Sequence, residues 1–467
     1  MISKKFAIDI LNIGLSTGAD YAEIYCQNQY SHITSLAKKK IDNVFGKLTY
    51  GVGIRLLKGT DEVYGYTSDI SKKSLVDLVN KLSSSFNGER VKEVKTLNLL
   101  KQNHKNDPLK PHDSMSIEEK LEVLRKAEKV GYDYSEKVID VRVGLNELDE
   151  EVCVFNSDEV MVKENRVRTR IMGVVTASDG KSFQTGRFSP GESIGLEILD
   201  KHDLSKGILS AAKDAVDLLD APECPSGEIP VIIGNAFGGT LFHEACGHPL
   251  EGSAISHNSS AFCGKLGQKI ASPIVTAVDD GTIQKGWGSE GYDDEGIKST
   301  KNVLIKDGIL VNYMIDRLSG RKLGLTPTGS CRRQSYKFVP TTRMTNTYFE
   351  KGHDKLEDMI KSIKHGYMLF DTNNGMEDPK NWAIQCTCEY GIEIVDGKLT
   401  DNYVSPVVMS GFVLDLLNSI SMISDDFEIS GAGFCGKGYK EWGRVSDGGP
   451  AIKARVKLGW LLELKIY

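Results

Sequence analysis

The sequence predicts an α+β fold made of two small α+β units followed by a larger, β-rich α+β domain. The first half of the chain passes twice through the same order of elements, which is helix, strands, helix. A polar stretch separates the two passes, and after Pro222 short β segments and glycine turns become frequent. We therefore predict domains at 1–90, 115–222 and 223–467, with a linker at 91–114.

The first unit is predicted to begin with an amphipathic helix in "KKFAIDILNIGL", with Ser3 as its N-cap and Gly18 as its stop. Alternating apolar and polar residues predict strands in "YAEIYCQNQY", "KLTYGVGIRLL" and "EVYGYTSD". The segment "SKKSLVDLVNKLSSSF" closes the unit as a second helix. Asp9 and Asn12 interrupt the first apolar run and no small-residue cleavage site follows, so we interpret it as a helix rather than a signal peptide.

The second unit follows the polar stretch "KQNHKNDPLKPHD" and repeats this order of elements, although not the residues. Its first helix, "SIEEKLEVLRKAEKV", carries the capping-box pattern of Ser116 and Glu119. Strands are predicted in "VIDVRVGLNE", "EEVCVFNSD" and "RVRTRIMGVVTASD", and a helix in "DLSKGILSAAKDAVDLLDA".

The third region opens with the short apolar strand "IPVIIGN". Hairpin turns are predicted at "KDG" in "VLIKDGILVNYMID" and at "VDGK" in "YGIEIVDGKLTDNY". Helices are predicted in "KLEDMIKSIKHG" and "SGFVLDLLNSISMI".

The composition excludes several classes of function. Hydrophobic residues make up 40% of the chain and charged residues 26%, as in soluble globular proteins. A formal net charge of −6 gives no electrostatic reason to expect nucleic acid or an anionic membrane as partner. No stretch approaches the roughly 18 consecutive apolar residues that span a membrane. The nine cysteines form no disulfide framework, so we expect free thiols and a cytoplasmic location.

The segment "GNAFGGTLFHEACGHPLEG" contains residues typical of a zinc peptidase. The nitrogens of His243 and His248 can bind zinc, and the Glu244 carboxylate can accept a proton from water. The histidines are five residues apart, not four as in H-E-x-x-H, which separates them by roughly 140° on a regular helix. Because Gly247 and Pro249 weaken the helix here, we expect either a helix end at Gly247 or a single π-bulge to bring the histidines together.

A catalytic zinc site needs a third protein ligand, and the residues alone leave several candidates. Cys246 lies on the same helix, where we expect it to be packed. His257 and Cys263 lie in "SAISHNSSAFCGK", which is predicted to be a mobile loop, and Cys435 lies in the glycine-dense turn "ISGAGFCGKGY". The glycines before His243 are a weak indication of a phosphate loop, because G-x-x-x-x-G-K-[ST] is absent.

An ordered set of motifs resembles the TldD/PmbA metallopeptidases, specifically the TldD-like members that keep the catalytic motif. Besides "IPVIIGNAFGGTLFHEACGHPLEG", the set comprises "YDDEGIKSTKNVLIKDGIL", "LGLTPTGSCRRQSY", "RMTNTYFEKG", "ISDDFEISGAGFCGKG" and "DGGPAI". The resemblance covers nearly the whole chain and is far more specific than H-E-x-x-x-H alone. Cys331 in "TGSCRR" and the C-terminal "LGWLLELKIY" depart from the family pattern.

The resemblance implies a zinc-dependent peptidase that hydrolyses unfolded or flexible peptides. By position, His243, His248 and Cys435 match the family's zinc ligands and Glu244 matches its general base, which takes the proton of a zinc-activated water. The five-residue spacing belongs to the family motif. The family also implies a dimer, either a homodimer or a pair with a paralogous subunit, whose internal cavity holds the site.

Two alternatives come from other classes of protein. The first is a non-catalytic peptide-holding or regulatory subunit of a TldD/PmbA-type complex, and the intact motif argues against it. The second is a regulator that binds DNA or gyrase, and the acidic charge argues against it. The residues do not identify an oxyanion donor. Arg332, Arg333 and Arg343 are candidates, although we expect arginines in strands to form surface ion pairs.

Overall fold

The structure is a computed structural model that describes residues 2–101, 107–378, 383–437 and 440–459. These residues form smaller N-terminal units of helices and strands and a β-rich C-terminal part, which confirms the predicted α+β fold class. No helix within these ranges is both long enough and apolar enough to cross a membrane.

The first unit has the predicted order of elements. They are α1 (Lys4–Gly14), β1 (Tyr21–Ala37), β2 (Lys40–Lys58), β3 (Asp61–Thr67) and α2 (Lys72–Ser83). The Ser3 hydroxyl accepts a hydrogen bond from the backbone N–H of Phe6, which confirms Ser3 as the N-cap of α1. The predicted stop at Gly18 is wrong, because α1 ends at Gly14. Gly18 lies in the turn before β1 with a φ of 94°, a conformation that glycine adopts without strain.

The second unit repeats the helix–strands–helix order. Including the segment that precedes it, its elements are β4 (Asn98–Leu99), α3 (Ile117–Tyr134), β5 (Val138–Asn156), β6 (Val160–Ser178), β7 (Phe183–Phe188), β8 (Gly191–Glu192), α4 (Ile198–Lys201) and α5 (Leu204–Asp217). Ser116 and Glu119 form the predicted capping box at the start of α3. The stretch predicted as a linker contributes β4, which pairs in parallel with β6, while its residues 102–106 lie outside the described part of the chain.

The strands of the two N-terminal units form one sheet. Its order is β3-β2-β1-β5-β6-β4, and β7 and β8 also pair with β6. The units join where β1 pairs antiparallel with β5, from Glu23 opposite Asn156 to Ala37 opposite Arg142. The sequence predicts two units from their repeated order, but that pattern contains no information about this shared pairing.

The C-terminal part contains the remaining elements. Its strands are β9 (Gly227–Ile233), β10 (Ala277–Asp280), β11 (Lys301–Lys306), β12 (Ile309–Leu310), β13 (Cys331–Arg332), β14 (Thr341–Thr342), β15 (Asn346–Phe349), β16 (His365–Asp378), β17 (Ala383–Val395), β18 (Lys398–Val404), β19 (Val407–Phe412), β20 (Met422–Ile423), β21 (Glu428–Lys437), β22 (Lys440–Gly449) and β23 (Ile452–Leu458). Its helices are α6 (Asn235–Phe242), α7 (Gly252–Ser256), α8 (Arg317–Leu323), α9 (Leu356–Lys361) and α10 (Val413–Ser419).

Two larger sheets organise this part. One has the strand order β12-β11-β10-β15-β22-β21, and the other has the order β16-β9-β23-β19-β17-β18 with β20 beside β23. Both predicted hairpin turns are confirmed. Asp307 and Gly308 link β11 to β12, Asp396 and Gly397 link β17 to β18, and all four residues have the positive φ that a type I′ turn requires.

Helix α6 lies between these two sheets. Its apolar residues Leu241 and Phe242 share one buried core with Phe349 of β15, Leu369 of β16 and Val445 of β22. The N-terminal sheet meets the C-terminal part in a second cluster, where Tyr25 and three valines of the sheet pack against two tyrosines of the C-terminal part. This second cluster comprises Tyr25, Val152, Val154, Val162, Tyr292 and Tyr336. Helix α6 itself is packed between strands of the two C-terminal sheets.

Candidate metal centre

The chain leaves α6 through an unusual helical turn that carries both histidines of the motif. Residues His243–Gly247 form a π-helical turn, and His248–Leu250 form a 3₁₀ turn with Pro249 at its start. Of the two local solutions expected from the sequence, the chain adopts the π-bulge. Because the turn is wider than an α-turn, residues five apart lie on one face, and the rings of His243 and His248 are 5.1 Å apart.

The three predicted ligands lie together. Nε2 of His243 and Nε2 of His248 are each 3.0 Å from Sγ of Cys435, which reaches the helix from the neighbouring strand β21. All three ligand atoms lie within 4.8 Å of one another. Donor atoms around tetrahedral zinc lie roughly 3–4 Å apart, given bonds of about 2.0 Å to nitrogen and 2.3 Å to sulfur. The type and spacing of these atoms therefore fit a zinc ion.

The other candidates for a third ligand lie elsewhere. Cys246 is fully buried in the core, as expected. The thiol of Cys263 contacts the carbonyl of Ile255, and Nδ1 of the exposed His257 contacts the carbonyl of Ser253. The structure brings neither residue of this loop into the cluster of potential ligands.

The two imidazoles are in the state that binds metals. Burial, with His248 and Arg343 nearby, lowers the pKa of His243 well below its usual value, and burial also lowers the pKa of His248. Both rings are thus neutral near pH 7, the form in which a ring nitrogen coordinates. Burial raises the pKa of the Cys435 thiol to about 12, but a bound zinc ion deprotonates a coordinating thiol.

Glu244 lies beside the three potential ligands but is not one of them. The closest of its oxygens is 4.0 Å from Nε2 of His248. Burial, with the carboxylate of Asp447 nearby, raises the pKa of Glu244 to about 7. Its side chain lies against the backbone of Gly375 in β16, where any larger residue would collide with it. A carboxylate with this pKa can both accept and return a proton near neutral pH.

Further charged and polar residues surround the cluster, and of these the sequence indicates only Arg343. The fully buried Glu251 has one oxygen 3.7 Å from Nδ1 of His248 and the other 2.6 Å from Nζ of Lys437. Burial alone would raise the pKa of Glu251, but Arg343 and Lys437 hold it well below its usual value. The hydroxyl of Thr347 lies 3.3 Å from Nδ1 of His243. Glu251 follows His248 by three residues, which is the one local signal that could have identified it.

The expectation of surface ion pairs for three arginines is wrong. Arg332, Arg333 and Arg343 are buried, because each meets a partner that is distant in sequence. Arg332 pairs with Glu290, Arg333 with Glu23, and Arg343 contacts Cys435.

Three family models match successive parts of the chain. The PmbA/TldA metallopeptidase domain 1 matches residues 22–85, the central domain matches 110–220, and the C-terminal domain matches 226–457. The last of these contains all residues of the candidate centre.

Relatives and solved structures resemble the chain along nearly its full length. A "Metalloprotease TldD homolog" of Haemophilus influenzae is 31% identical over 97% of this chain and 95% of its own. A "Zinc metalloprotease TldD homolog" of Saccharolobus solfataricus is 26% identical over 95% of this chain and 97% of its own. The crystal structure of TldE from Thermococcus kodakarensis superposes with a TM-score of 0.77 at 18% identity, over 97% of this chain and all of that one, so it has the same fold.

Proposed function

The chain belongs to the PmbA/TldA metallopeptidase family, and on that premise we propose that it is a zinc-dependent peptidase that hydrolyses unfolded or flexible peptides. The observation that carries the proposal is the meeting of His243, His248 and Cys435, with Glu244 beside them. Two imidazoles and one thiolate favour zinc over the hard cations that prefer oxygen ligands. Three protein ligands also leave a fourth position for water, as in catalytic zinc sites.

In this proposal each residue has one task. His243, His248 and Cys435 hold the zinc ion, which when bound supplies a Lewis acid that lowers the pKa of water toward about 7. Glu244 accepts the proton of the attacking water and returns it to the leaving amine. The Glu244 side chain is mostly but not fully buried, and Gly375 leaves room for it beside the potential ligands.

An extended peptide is the substrate that the surrounding strands can accept best. Cys435 lies on β21, which in the described part of the chain pairs only with β22 and ends its sheet. An unpaired strand edge can bind a peptide through main-chain hydrogen bonds, which places few demands on the peptide's side chains. Most extended segments of a folded protein are already paired, so this mode favours unfolded or flexible chains.

The proposed setting is the cytoplasm, with the chain in a dimer. All nine cysteines are free thiols, which is typical of a reducing compartment. The fold match to TldE supports a pair with a paralogous subunit beside the simpler homodimer. The alternative function is a subunit that holds peptides without cleaving them, and it would require no proton acceptor at position 244.

Glu244→Gln separates these two functions. The substitution keeps the size of the side chain but removes the base, so cleavage of an unstructured peptide should fall by about 10²–10⁴ while zinc content stays the same. His243→Ala should lose both metal and cleavage, and Glu118→Gln on the exposed face of α3 should lose neither. Mass spectrometry of the peptide and metal analysis are run on the same preparations. Equal cleavage by Glu244→Gln and the parent would remove Glu244 as the base, and zinc binding without any cleavage would favour the peptide-holding subunit.

A further inference from the structure

Arg343 joins two groups of the candidate centre through one guanidinium. Its Nη2 donates to Sγ of Cys435 over 2.8 Å, and its Nη1 lies 3.4 Å from Oε1 of Glu251. The side chain is only 1% exposed, so water does not screen either contact. Because the guanidinium is planar and rigid, the two contacts also fix the distance between Cys435 and Glu251.

The carboxylate of Glu251 extends this connection to the second histidine. It faces Nδ1 of His248, the ring nitrogen that points away from Cys435, and it pairs with Lys437 on its other side. Cys435, Arg343, Glu251 and His248 therefore form a continuous chain of contacts that returns to Cys435. Metal-binding histidines commonly rely on such a carboxylate to hold the ring in place.

Charged groups of both signs surround the Cys435 sulfur in this chain of contacts. Arg343 and Lys437 carry two positive charges, and Glu251 carries one negative charge. A thiolate at Cys435 supplies the second negative charge. A metal-bound thiolate at Cys435 would therefore lie beside a compensating positive charge on Arg343.

We infer that Arg343 is a positioning residue that fixes the Cys435 sulfur and reduces the charge which this sulfur donates to a bound metal ion. The inference rests on the proposed zinc site. A thiolate ligand makes zinc a weaker Lewis acid than three histidines would, and a guanidinium hydrogen bond to the sulfur offsets part of this effect because it withdraws the same electron density.

The contacts of Arg343 favour this role over that of an oxyanion donor. A donor to the substrate must direct an N–H toward the reacting carbonyl. Both terminal nitrogens of Arg343 instead face groups of the centre, at 2.8 and 3.4 Å. Arg343 is thus placed to act through Cys435.

Cobalt(II) bound to the full-length chain reports on the sulfur directly. The parent should show a thiolate-to-cobalt charge-transfer band that Cys435→Ser removes. Arg343→Gln should shift this band to longer wavelength, because a sulfur without the guanidinium holds its electrons less tightly. Arg343→Lys keeps the positive charge but removes the planar guanidinium group, so it should shift the band in the same direction by a smaller amount. Arg187→Gln, which breaks an ion pair with Glu389 far from Cys435 in the chain, should leave the band in place.

The affinity for cobalt(II) tests the contact between Glu251 and His248. Glu251→Gln should weaken binding by about 10–100-fold, as is typical when a carboxylate behind a ligand histidine is removed. An unshifted band in both Arg343 variants overturns the inference even if the parent binds cobalt through Cys435. A parent without a Cys435-dependent band overturns the proposed zinc site itself, so the two failures are distinguishable.

Discussion

The backbone N–H of His248 donates a hydrogen bond to the carbonyl oxygen of His243, five residues earlier in the chain. This bond closes a single π-helical turn. On a regular α-helix the two histidines would lie roughly 140° apart, and they could not both reach the same atom. On the wider turn both Nε2 atoms lie 3.0 Å from Sγ of Cys435. The H-E-x-x-x-H spacing is therefore compatible with one metal ion.

The position of this turn depends on a close approach between Gly239 of α6 and Gly448 of β22. A Cβ atom at Gly239 would collide with the backbone of Gly448, whereas one at Gly238 would meet only the carbonyl of Pro450 at 3.2 Å. Gly239→Ala should thus displace α6, lower the stability by about 1–3 kcal/mol and reduce metal content.

Gly238→Ala is the matched control for this prediction. Alanine favours a helix by about 0.5–1 kcal/mol over glycine, so this variant should be as stable as the parent or slightly more stable. Urea denaturation and metal analysis measure both variants. A stable, metal-replete Gly239→Ala would mean that α6 does not depend on the close contact.

The sequence predicts the helices, hairpin turns and caps of this chain well, because these features depend on neighbouring residues. The Ser116–Glu119 capping box is an example, and the π-bulge next to Pro249 is one of the two arrangements that the sequence predicts. The sequence predicts less well the contacts between residues that are far apart in the chain. Cys435 lies 192 residues after His243, and only the family resemblance distinguishes it from the other candidate ligands. Similarly, the glycines before His243 resembled a weak phosphate loop, while the structure uses Gly239 for helix–strand contact.

The assignment of Cys435 as third ligand predicts a difference between two cysteines. Cys435→Ala should reduce zinc occupancy sharply, because two histidines do not hold a catalytic zinc ion. Cys263→Ala should leave zinc occupancy unchanged, since its thiol contacts the carbonyl of Ile255. Metal analysis of both purified variants distinguishes Cys435 from Cys263 as the third ligand. The reverse pattern would transfer the role of ligand to the loop that contains Cys263.

Buried arginines are a second feature that the sequence predicts poorly, and they have consequences for stability. Arg55 of β2 pairs with Glu295 of the C-terminal part and with Glu23 and Glu62 of its own sheet. Arg55, Glu23 and Glu295 are fully buried. Such pairs cannot be predicted from local patterns, because each charge is tolerated inside the protein only when its distant partner is present.

Glu295→Gln should therefore destabilise the protein strongly. It leaves Arg55 buried with fewer opposing charges, and breaking a buried pair costs about 3–5 kcal/mol. We expect the lower end of that range, because Glu23 and Glu62 still face Arg55. Asp77→Asn is the control, since its pair with Lys73 is exposed on α2 and should contribute nothing measurable. Equal urea midpoints for both variants would show that the buried pair does not hold the N-terminal sheet to the C-terminal part.

The last prediction concerns the dimer, and it rests on the outer part of the β1–β2 hairpin. Strand β3 pairs only with Val52–Lys58 of β2, so in the described structure the rest of β2 has a neighbour on one side only. Large apolar side chains are exposed there. They are Tyr30, Ile41, Val44, Phe45 and Leu48, with 44–63% of their surface accessible. Exposed apolar groups of this kind commonly mark an interface between proteins.

We expect light scattering to give twice the 51.4 kDa mass of one chain, or a one-to-one complex when a paralogous chain is present. Leu48→Asp should shift the protein toward the monomer, because a charge at the centre of an apolar interface loses its hydration. Leu99→Asp is the matched control, since Leu99 is as exposed as Leu48 but lies on β4 at the opposite edge of the same sheet. A dimer that survives Leu48→Asp places the interface elsewhere. A stable monomer that still cleaves peptides would instead rule out a cavity shared between two subunits.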